Sequence, residues 1–263
     1  MSGPEPRLAP DGEPRLRFAG RVAVVTGAGN GIGRAYAHAF AREGAAVAVV
    51  DIDELGARRV VAELEAAGAR AIALCADVAD EDATREMAER VVGELSGIDV
   101  LINNAGLHLG PYNETLALPL AEWRRLFDVN VLGALLCAKA CRASMRRRGG
   151  GAIVNQSSMA SARGVGGYSV SKLALNGLTV SLARELAPDG IRVNGIAPGY
   201  VESEAAVEGL SEPLKRSVLE GQILKRFGRV EDLVGTVLFL CSDAASFVTG
   251  QTWLVDGGAN PRL

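Results

Sequence analysis

The sequence has 263 residues, of which 48% are hydrophobic and 32 are glycine, and its formal net charge is −3. This length and apolar content predict one well-buried α/β domain. The negative charge argues against nucleic acid or an anionic membrane as the main partner. The four cysteines and two histidines lack the spacing of a disulfide framework or a metal site, and no segment reaches about 18 uncharged apolar residues. We therefore expect a cytoplasmic protein with no metal and no membrane contact.

Short apolar runs alternate with helical patterns along almost the whole chain. The proline-rich residues 1–17 are expected to form a flexible tail, and residues 18–263 one domain. The predicted strands cover residues 22–25, 46–50, 70–76, 99–102, 152–155, 191–197 and 252–255. The predicted helices run from the glycine turn to about residue 43 and over 53–67, 80–95, 120–148, 168–187, 214–220 and 231–242. This alternation predicts a parallel sheet with helices on both faces.

Polar and special residues follow most of the predicted strands directly. They are the glycines after the first strand, Asp51, Asp77, Asn103-Asn104, Ser157-Ser158 and Pro198-Gly199. Because the carboxyl ends of parallel strands meet at one edge of the sheet, where ligands bind in such folds, these residues predict a single ligand site.

Gly27, Gly31 and Gly33 lie between a predicted strand and a predicted helix. Without side chains, the backbone there can approach a pyrophosphate at the amino end of the helix, so we predict a nucleotide site rather than a merely tight turn. Asp51 ends the next strand, 18 residues after Gly33. Its carboxylate can accept hydrogen bonds from a ribose diol and repels a 2′-phosphate, which favours NAD over NADP. The alternative is that Asp51 is the N-cap of the following helix, which would not exclude ribose binding.

Tyr168 and Lys172 are four residues apart and so share one helical face. A close ammonium could lower the pKa of a phenol by roughly 1–3 units and make it an acid/base group near neutrality. The alternative is an ordinary exposed pair. The catalytic interpretation is favoured because the chain uses only four lysines among its 28 basic residues and a lysine is a compact point charge.

Three motifs in order resemble the classical short-chain dehydrogenase/reductase family over roughly residues 18–260. They are T-G-x-x-x-G-x-G at 26–33, N-N-A-G at 103–106 and Y-x-x-x-K at 168–172. The resemblance implies a single-domain Rossmann fold, doubly wound around a mostly parallel seven-stranded sheet. It also implies hydride transfer between NAD(H) and a secondary alcohol or ketone, and a homotetramer that pairs helices 120–148 and 169–187.

The resemblance also assigns roles to individual residues. Tyr168 would be the general acid/base and Lys172 would lower its pKa. Ser158, preferred to Ser157, would orient the substrate carbonyl, and Asn130 would hold a proton-relay water. The implied cofactor-binding residues are Gly27, Asn30, Gly31, Ile32, Gly33, Asp51, Ile52, Asp77, Val78, Asn104, Ala105, Gly106, Tyr168, Lys172, Pro198, Gly199, Val201 and Ser203.

One departure and several alternatives accompany the resemblance. The segment from the serines to Tyr168 is about three residues shorter than in many family members, which would reshape the pocket wall. Residues 108–118 and 200–227 are expected to cover a small-molecule substrate whose identity the sequence does not define. The alternatives are an NADP-linked 3-oxoacyl-thioester reductase and a dinucleotide-sensing regulatory protein without catalysis. Enoyl reductases of the family usually space their Tyr and Lys more widely.

Overall fold

A seven-stranded parallel sheet forms the centre of the part of the chain that the structure describes. The structure is a computed structural model, and it describes residues 16–108, 115–164, 166–202 and 212–261. The strands are β1 (Val22–Thr26), β2 (Ala46–Asp51), β3 (Ala71–Cys75), β4 (Val100–Asn103), β5 (Gly151–Gln156), β6 (Ile191–Pro198), the short β7 (Val201–Glu202) and β8 (Gly228–Arg229), and β9 (Thr252–Val255). The sheet order is β3-β2-β1-β4-β5-β6-β9, and β7 pairs with β8. The predicted fold class is confirmed.

Helices cover both faces of this sheet. They are α1 (Gly31–Arg42), α2 (Glu54–Ala66), α3 (Glu81–Leu95), α4 (Leu120–Phe127), α5 (Gly133–Arg147), α6 (Gly166–Leu186), α7 (Glu212–Gly221) and α8 (Val230–Cys241). Side chains of α1, α2 and α8 share one buried apolar cluster, and those of α3, α5 and α6 share another. Asp80 caps α3 through a side-chain bond from the Ala83 amide, as its position predicted.

Strand β1 shows why the sequences of the strands are continuous runs of apolar residues. All five of its residues are buried. Ala23 and Val25 join the cluster on one face, whereas Val22 and Val24 join the cluster on the other. Because successive side chains of a strand point to opposite faces, a strand covered on both faces needs apolar residues at every position.

After β3 the chain returns to the middle of the sheet and places β4 next to β1. The strands β1, β2 and β3 extend the sheet to one side, and β4, β5 and β6 extend it to the other. The carboxyl ends of β1 and β4 are therefore neighbours at a switch point, where an open α/β sheet forms its ligand crevice.

The predicted helix 120–148 is interrupted. A π-helical turn (Asp128–Leu132) separates α4 from α5, and it contains Asn130. Such turns widen a helix locally and often lie at functional sites. The helix α6 begins at Gly166, so Tyr168 stands in its first turn rather than at its start.

Two predicted segments lie partly outside the described residues. Of the expected tail 1–17, only residues 16 and 17 are described, and the Arg17 side chain donates to Glu43. Of the expected cover 108–118 and 200–227, residues 109–114 and 203–211 are outside; β7 and α7 belong to the remainder. Within the described ranges, no helix has the length and apolar character needed to cross a membrane.

Candidate active site

The glycine turn after β1 is built by close backbone packing. A Cβ on Gly33 would lie 2.1 Å from the carbonyl oxygen of Gly27, so only glycine fits where α1 starts. Asn104, at the end of β4, donates from its amide to the carbonyls of Thr26 and Gly27, both at 2.9 Å. Gly31 has a φ of +51°, and a Cβ there would meet no atom within 4 Å. The backbone at Gly31 is thus an open cradle at the amino end of α1.

Asp51 closes one side of this turn. Its Oδ2 accepts from the Gly29 amide at 2.8 Å, and its Oδ1 accepts from the Asp53 amide at 3.0 Å. The N-cap of α2 is Asp53, so Asp51 is not the cap of that helix. The Arg59 guanidinium donates to the Gly29 carbonyl at 3.0 Å, which brings a cation to the turn that the sequence analysis did not anticipate.

A cleft of about 570 Å³ runs along these residues. Its wall consists of Gly27, Asn30, Gly31, Ile32, Gly33, Asp51, Ile52, Ala76, Asp77, Val78, Ala79, Asn104, Ala105, Gly106, Leu107, Arg125, Asp128 and Val129. Every cofactor residue predicted from the glycine turn and from the ends of β2, β3 and β4 lies in this wall. The glycine cradle, the uncapped amino end of α1 and the carboxylate beyond it fit a dinucleotide with a pyrophosphate and a ribose diol.

The last predicted cofactor residues lie elsewhere. Pro198 ends β6, and Gly199 and Val201 border a separate cavity of about 190 Å³. Ser203 lies outside the described residues. The structure therefore does not bring this group into the wall of the larger cleft.

Lys172 is buried next to Tyr168. The side chain is 3% exposed, and its Nζ donates to the Gln156 carbonyl at 2.7 Å. Nζ also lies 5.8 Å from the centroid of the Tyr168 ring. Burial lowers the pKa of Lys172 to about 8, because desolvation disfavours the ammonium.

Asn130, in the π-helical turn, links this turn by hydrogen bonds to Leu107 and to Ser171 of α6. Its Oδ1 accepts from the Leu107 amide at 2.7 Å, and its Nδ2 donates to the Leu107 carbonyl and to Ser171 Oγ, both at 3.0 Å. A Cβ on Gly106 would lie 3.2 Å from Asn130 Oδ1 and 3.2 Å from Lys172 Nζ. The amide and the ammonium thus face each other across Gly106, at the end of the cleft.

The two serines after β5 have different surroundings. Ser157 is 3% exposed and its hydroxyl donates to the Lys172 carbonyl at 3.3 Å. Ser158 is only partly buried, and its Oγ accepts from the Ala160 amide at 3.1 Å. The hydroxyl of Ser158 is therefore the more accessible of the two.

Sequence reasoning missed the ring that contacts Tyr168. The imidazole of His108 lies with its centroid 4.6 Å from that of the phenol, and the planes are inclined by 53°. Burial lowers the pKa of His108. His108 follows β4 in a segment without periodicity, so no pattern could have indicated this contact. The cleft residues Arg125, Asp128 and Val129 were missed because they come from the end of α4 and its π-helical turn.

Comparisons with known proteins identify the family of this chain. A family model described as enoyl-(acyl carrier protein) reductase matches residues 27–260. A cis-4-hydroxycyclohexanecarboxylate dehydrogenase from Sinomonas cyclohexanicum is 42% identical over 92% of this chain and 97% of its own. A 3-oxoacyl-[acyl-carrier-protein] reductase from Staphylococcus epidermidis is 41% identical over 90% of this chain and 98% of its own. A solved 7α-hydroxysteroid dehydrogenase, complexed with NADH and 7-oxo glycochenodeoxycholic acid, is 35% identical over 93% of this chain and 96% of its own, with a TM-score of 0.88.

Proposed function

This chain belongs to the classical short-chain dehydrogenase/reductase family of oxidoreductases, and on that premise we propose that it transfers a hydride between NAD(H) and a secondary alcohol or ketone. Alcohol–ketone chemistry and a nicotinamide dinucleotide come with the family. The preference for NAD is inferred from Asp51, whereas the roles of the site residues and the assembly are those that the family resemblance implies, and contacts within this chain support them.

The observation that carries the proposal is the buried ammonium of Lys172 beside the phenol of Tyr168. Burial of the Lys172 ammonium, which donates to the Gln156 carbonyl, is unfavourable for folding. Groups of this kind are found where function requires them. A cation near a phenol favours the phenolate, which is the form that a general base needs. We therefore assign the acid/base role to Tyr168 and the supporting charge to Lys172.

The proposed mechanism gives each side chain one task. When bound, the nicotinamide supplies the hydride acceptor. In oxidation Tyr168 takes the proton of the substrate hydroxyl, and in reduction it returns a proton to the carbonyl oxygen. Ser158 donates a hydrogen bond to that oxygen. Lys172 and Asn130, which face each other across Gly106, would share the relay water that passes the proton onward.

The cofactor would be held by the residues of the larger cleft. The glycine turn would take the pyrophosphate, Asp77 and Val78 the adenine, and Asp51 the adenosine ribose. We propose NAD because the Asp51 carboxylate at this place repels a 2′-phosphate. Arg59, bonded to Gly29, is the cation that would have to turn toward a 2′-phosphate if NADP were used instead.

Alicyclic secondary alcohols are the first substrates to test. Two similar proteins carry names that place their chemistry on rings, one on hydroxycyclohexanecarboxylate and one on a hydroxysteroid. The expected result is reduced-cofactor absorbance that rises with at least one ring alcohol and NAD. Inertness of the whole panel would favour the non-catalytic alternative.

A second candidate is the reduction of a 3-oxoacyl thioester. The similarity to a 3-oxoacyl-[acyl-carrier-protein] reductase favours it. The spacing of four between Tyr168 and Lys172 suits ketone reduction better than enoyl reduction. Initial rates with NADH and NADPH on an oxoacyl thioester distinguish the candidates, since a clear preference for NADPH would overturn the assignment of NAD.

We also propose a homotetramer. Leu132, Leu173 and Val180 expose 45%, 52% and 39% of their surface on the π-helical turn and on α6. Exposed apolar side chains on neighbouring helices are typical of subunit contacts. Light scattering is expected to show a tetramer in the wild type and smaller species after Leu173→Glu. A wild-type monomer at micromolar concentration would contradict the proposal.

A further inference from the structure

Lys172 and His108 both lie close to the ring of Tyr168, and of these two the proposed function uses only Lys172. Lys172 Nζ lies 5.8 Å from the ring centroid, and the imidazole of His108 lies at 4.6 Å. Inclined aromatic rings at this distance attract each other. His108 has no role in the mechanism above, so its contact with the acid/base group needs its own explanation.

The backbone of His108 is anchored to the helix that carries Tyr168. Asn130 binds both the amide and the carbonyl of Leu107, directly before His108, at 2.7 and 3.0 Å. Asn130 also donates to Ser171 Oγ, and that hydroxyl donates to the Tyr168 carbonyl at 2.7 Å. One amide side chain therefore sets the spacing between the two backbones that bear the rings. The backbone directly before His108 is thus held at a set distance from the helix that carries the phenol.

The charge around the pair favours a neutral imidazole. Burial lowers the pKa of His108, and the ammonium of Lys172 on the other contact of Tyr168 opposes a second cation. At neutral pH His108 therefore offers Tyr168 an aromatic surface and no charge.

We propose that His108 is a positioning residue for Tyr168, whose imidazole holds the phenol beside Lys172 through ring packing. This inference rests on the proposed acid/base role of Tyr168. A phenol has two side-chain torsions, and the packed imidazole removes the rotations that would carry the hydroxyl away from the substrate oxygen.

Two substitutions of His108 distinguish the effect of its aromatic ring from the effect of its ring nitrogens. His108→Ala removes the packing surface, and we expect kcat for alcohol oxidation to fall roughly fivefold to tenfold. The midpoint of the pH profile of kcat/KM should move to higher pH, because a looser phenol spends less time beside the ammonium. His108→Phe keeps an aromatic ring without nitrogens, and it should retain kcat within about twofold and the wild-type midpoint. NAD affinity should be the same in all three proteins.

The other histidine of the chain provides a matched control. His38 bonds to Glu63 at 2.8 Å, away from the cleft, so His38→Ala should keep the wild-type kcat and pH profile. The inference is overturned if His108→Ala behaves like the wild type, or if His108→Phe loses as much kcat as His108→Ala, because the nitrogens would then matter rather than the ring.

Tyr168→Phe in the same assay separates this inference from the proposed function. If Tyr168→Phe retains turnover, the proposed function itself fails. If Tyr168→Phe loses turnover while His108→Ala keeps it, only the positioning role of His108 fails.

Discussion

Replacing Lys172 by methionine is expected to stabilise the folded protein at neutral pH while it removes turnover. The ammonium is 3% exposed and donates to one carbonyl. Methionine has a similar length and no charge to desolvate, so the substitution removes an unfavourable buried charge. Activity should be lost because the proposed supporting cation of Tyr168 is gone.

The size of the expected gain in stability follows from the lowered pKa of Lys172. Burial lowers the pKa of Lys172 from 10.5 to about 8, which corresponds to about 3 kcal/mol of destabilisation at pH 7. The lost hydrogen bond to Gln156 offsets about 1 kcal/mol or more. We expect a net gain of about 1–2 kcal/mol, or roughly 2–8 °C in melting temperature for a domain of this size.

The pH dependence of the free energy of unfolding tests this reasoning more sharply than the gain in stability at pH 7 does. Between about pH 8 and 10.5 the unfolded chain still holds the Lys172 proton, whereas the folded protein has released it. Wild-type stability should therefore rise with pH in this window. The Lys172→Met protein lacks this rise of about 3 kcal/mol, so its advantage of about 1–2 kcal/mol at pH 7 should vanish and the two stability curves should cross.

Urea denaturation at a series of pH values measures this effect at fixed protein concentration. Lys139→Met is the matched control, because Lys139 is exposed and pairs with Glu81 on the surface. It should change the free energy of unfolding by less than about 1 kcal/mol. A Lys172→Met protein that is less stable than the wild type at pH 7, or a difference that stays constant up to pH 10.5, would refute the reasoning.

Three further substitutions test the packing around the site. Asn130→Ala removes the three hydrogen bonds of a buried side chain and should lower the free energy of unfolding in urea by about 2–4 kcal/mol and reduce turnover; an unchanged kcat would speak against its place in the site. Arg192→Leu leaves three backbone carbonyls without their guanidinium donor and should destabilise the fold by about 2–4 kcal/mol, with turnover per folded molecule unchanged. Gly33→Ala places a Cβ 2.1 Å from the Gly27 carbonyl and should abolish NAD binding in a fluorescence titration, whereas Gly93→Ala, with no atom within 4 Å, should leave binding intact.

The sheet and the larger cleft were predictable because their signals are local. The run from Val22 to Val25 is apolar at every position, and a strand buried on both faces requires that. Asp51 and Asn104 each follow a strand, and the parallel arrangement brings those strand ends to one edge. The alternation of side chains along a strand also predicted that Ser157 and Ser158 would differ in their surroundings.

The features that were not predictable depend on contacts between segments that are far apart along the chain. The π-helical turn around Asn130 adds backbone width to a helix without changing its apolar pattern, so the sequence showed one continuous helix. His108 reaches Tyr168 across 60 residues of chain, and Arg59 reaches Gly29 across the whole of α1 and β2. Side-chain contacts of this kind are set by tertiary packing, which periodicity and spacing do not encode.

The most direct test of the proposed mechanism is turnover and NAD affinity of Tyr168→Phe, measured with the same secondary alcohol. The phenyl ring keeps the packing against His108 but cannot exchange a proton. We expect NAD affinity within about twofold of the wild type and a loss of roughly 10²- to 10⁴-fold in kcat, the range that acid/base groups contribute. Wild-type turnover in this variant would contradict the assignment of Tyr168 as the acid/base residue.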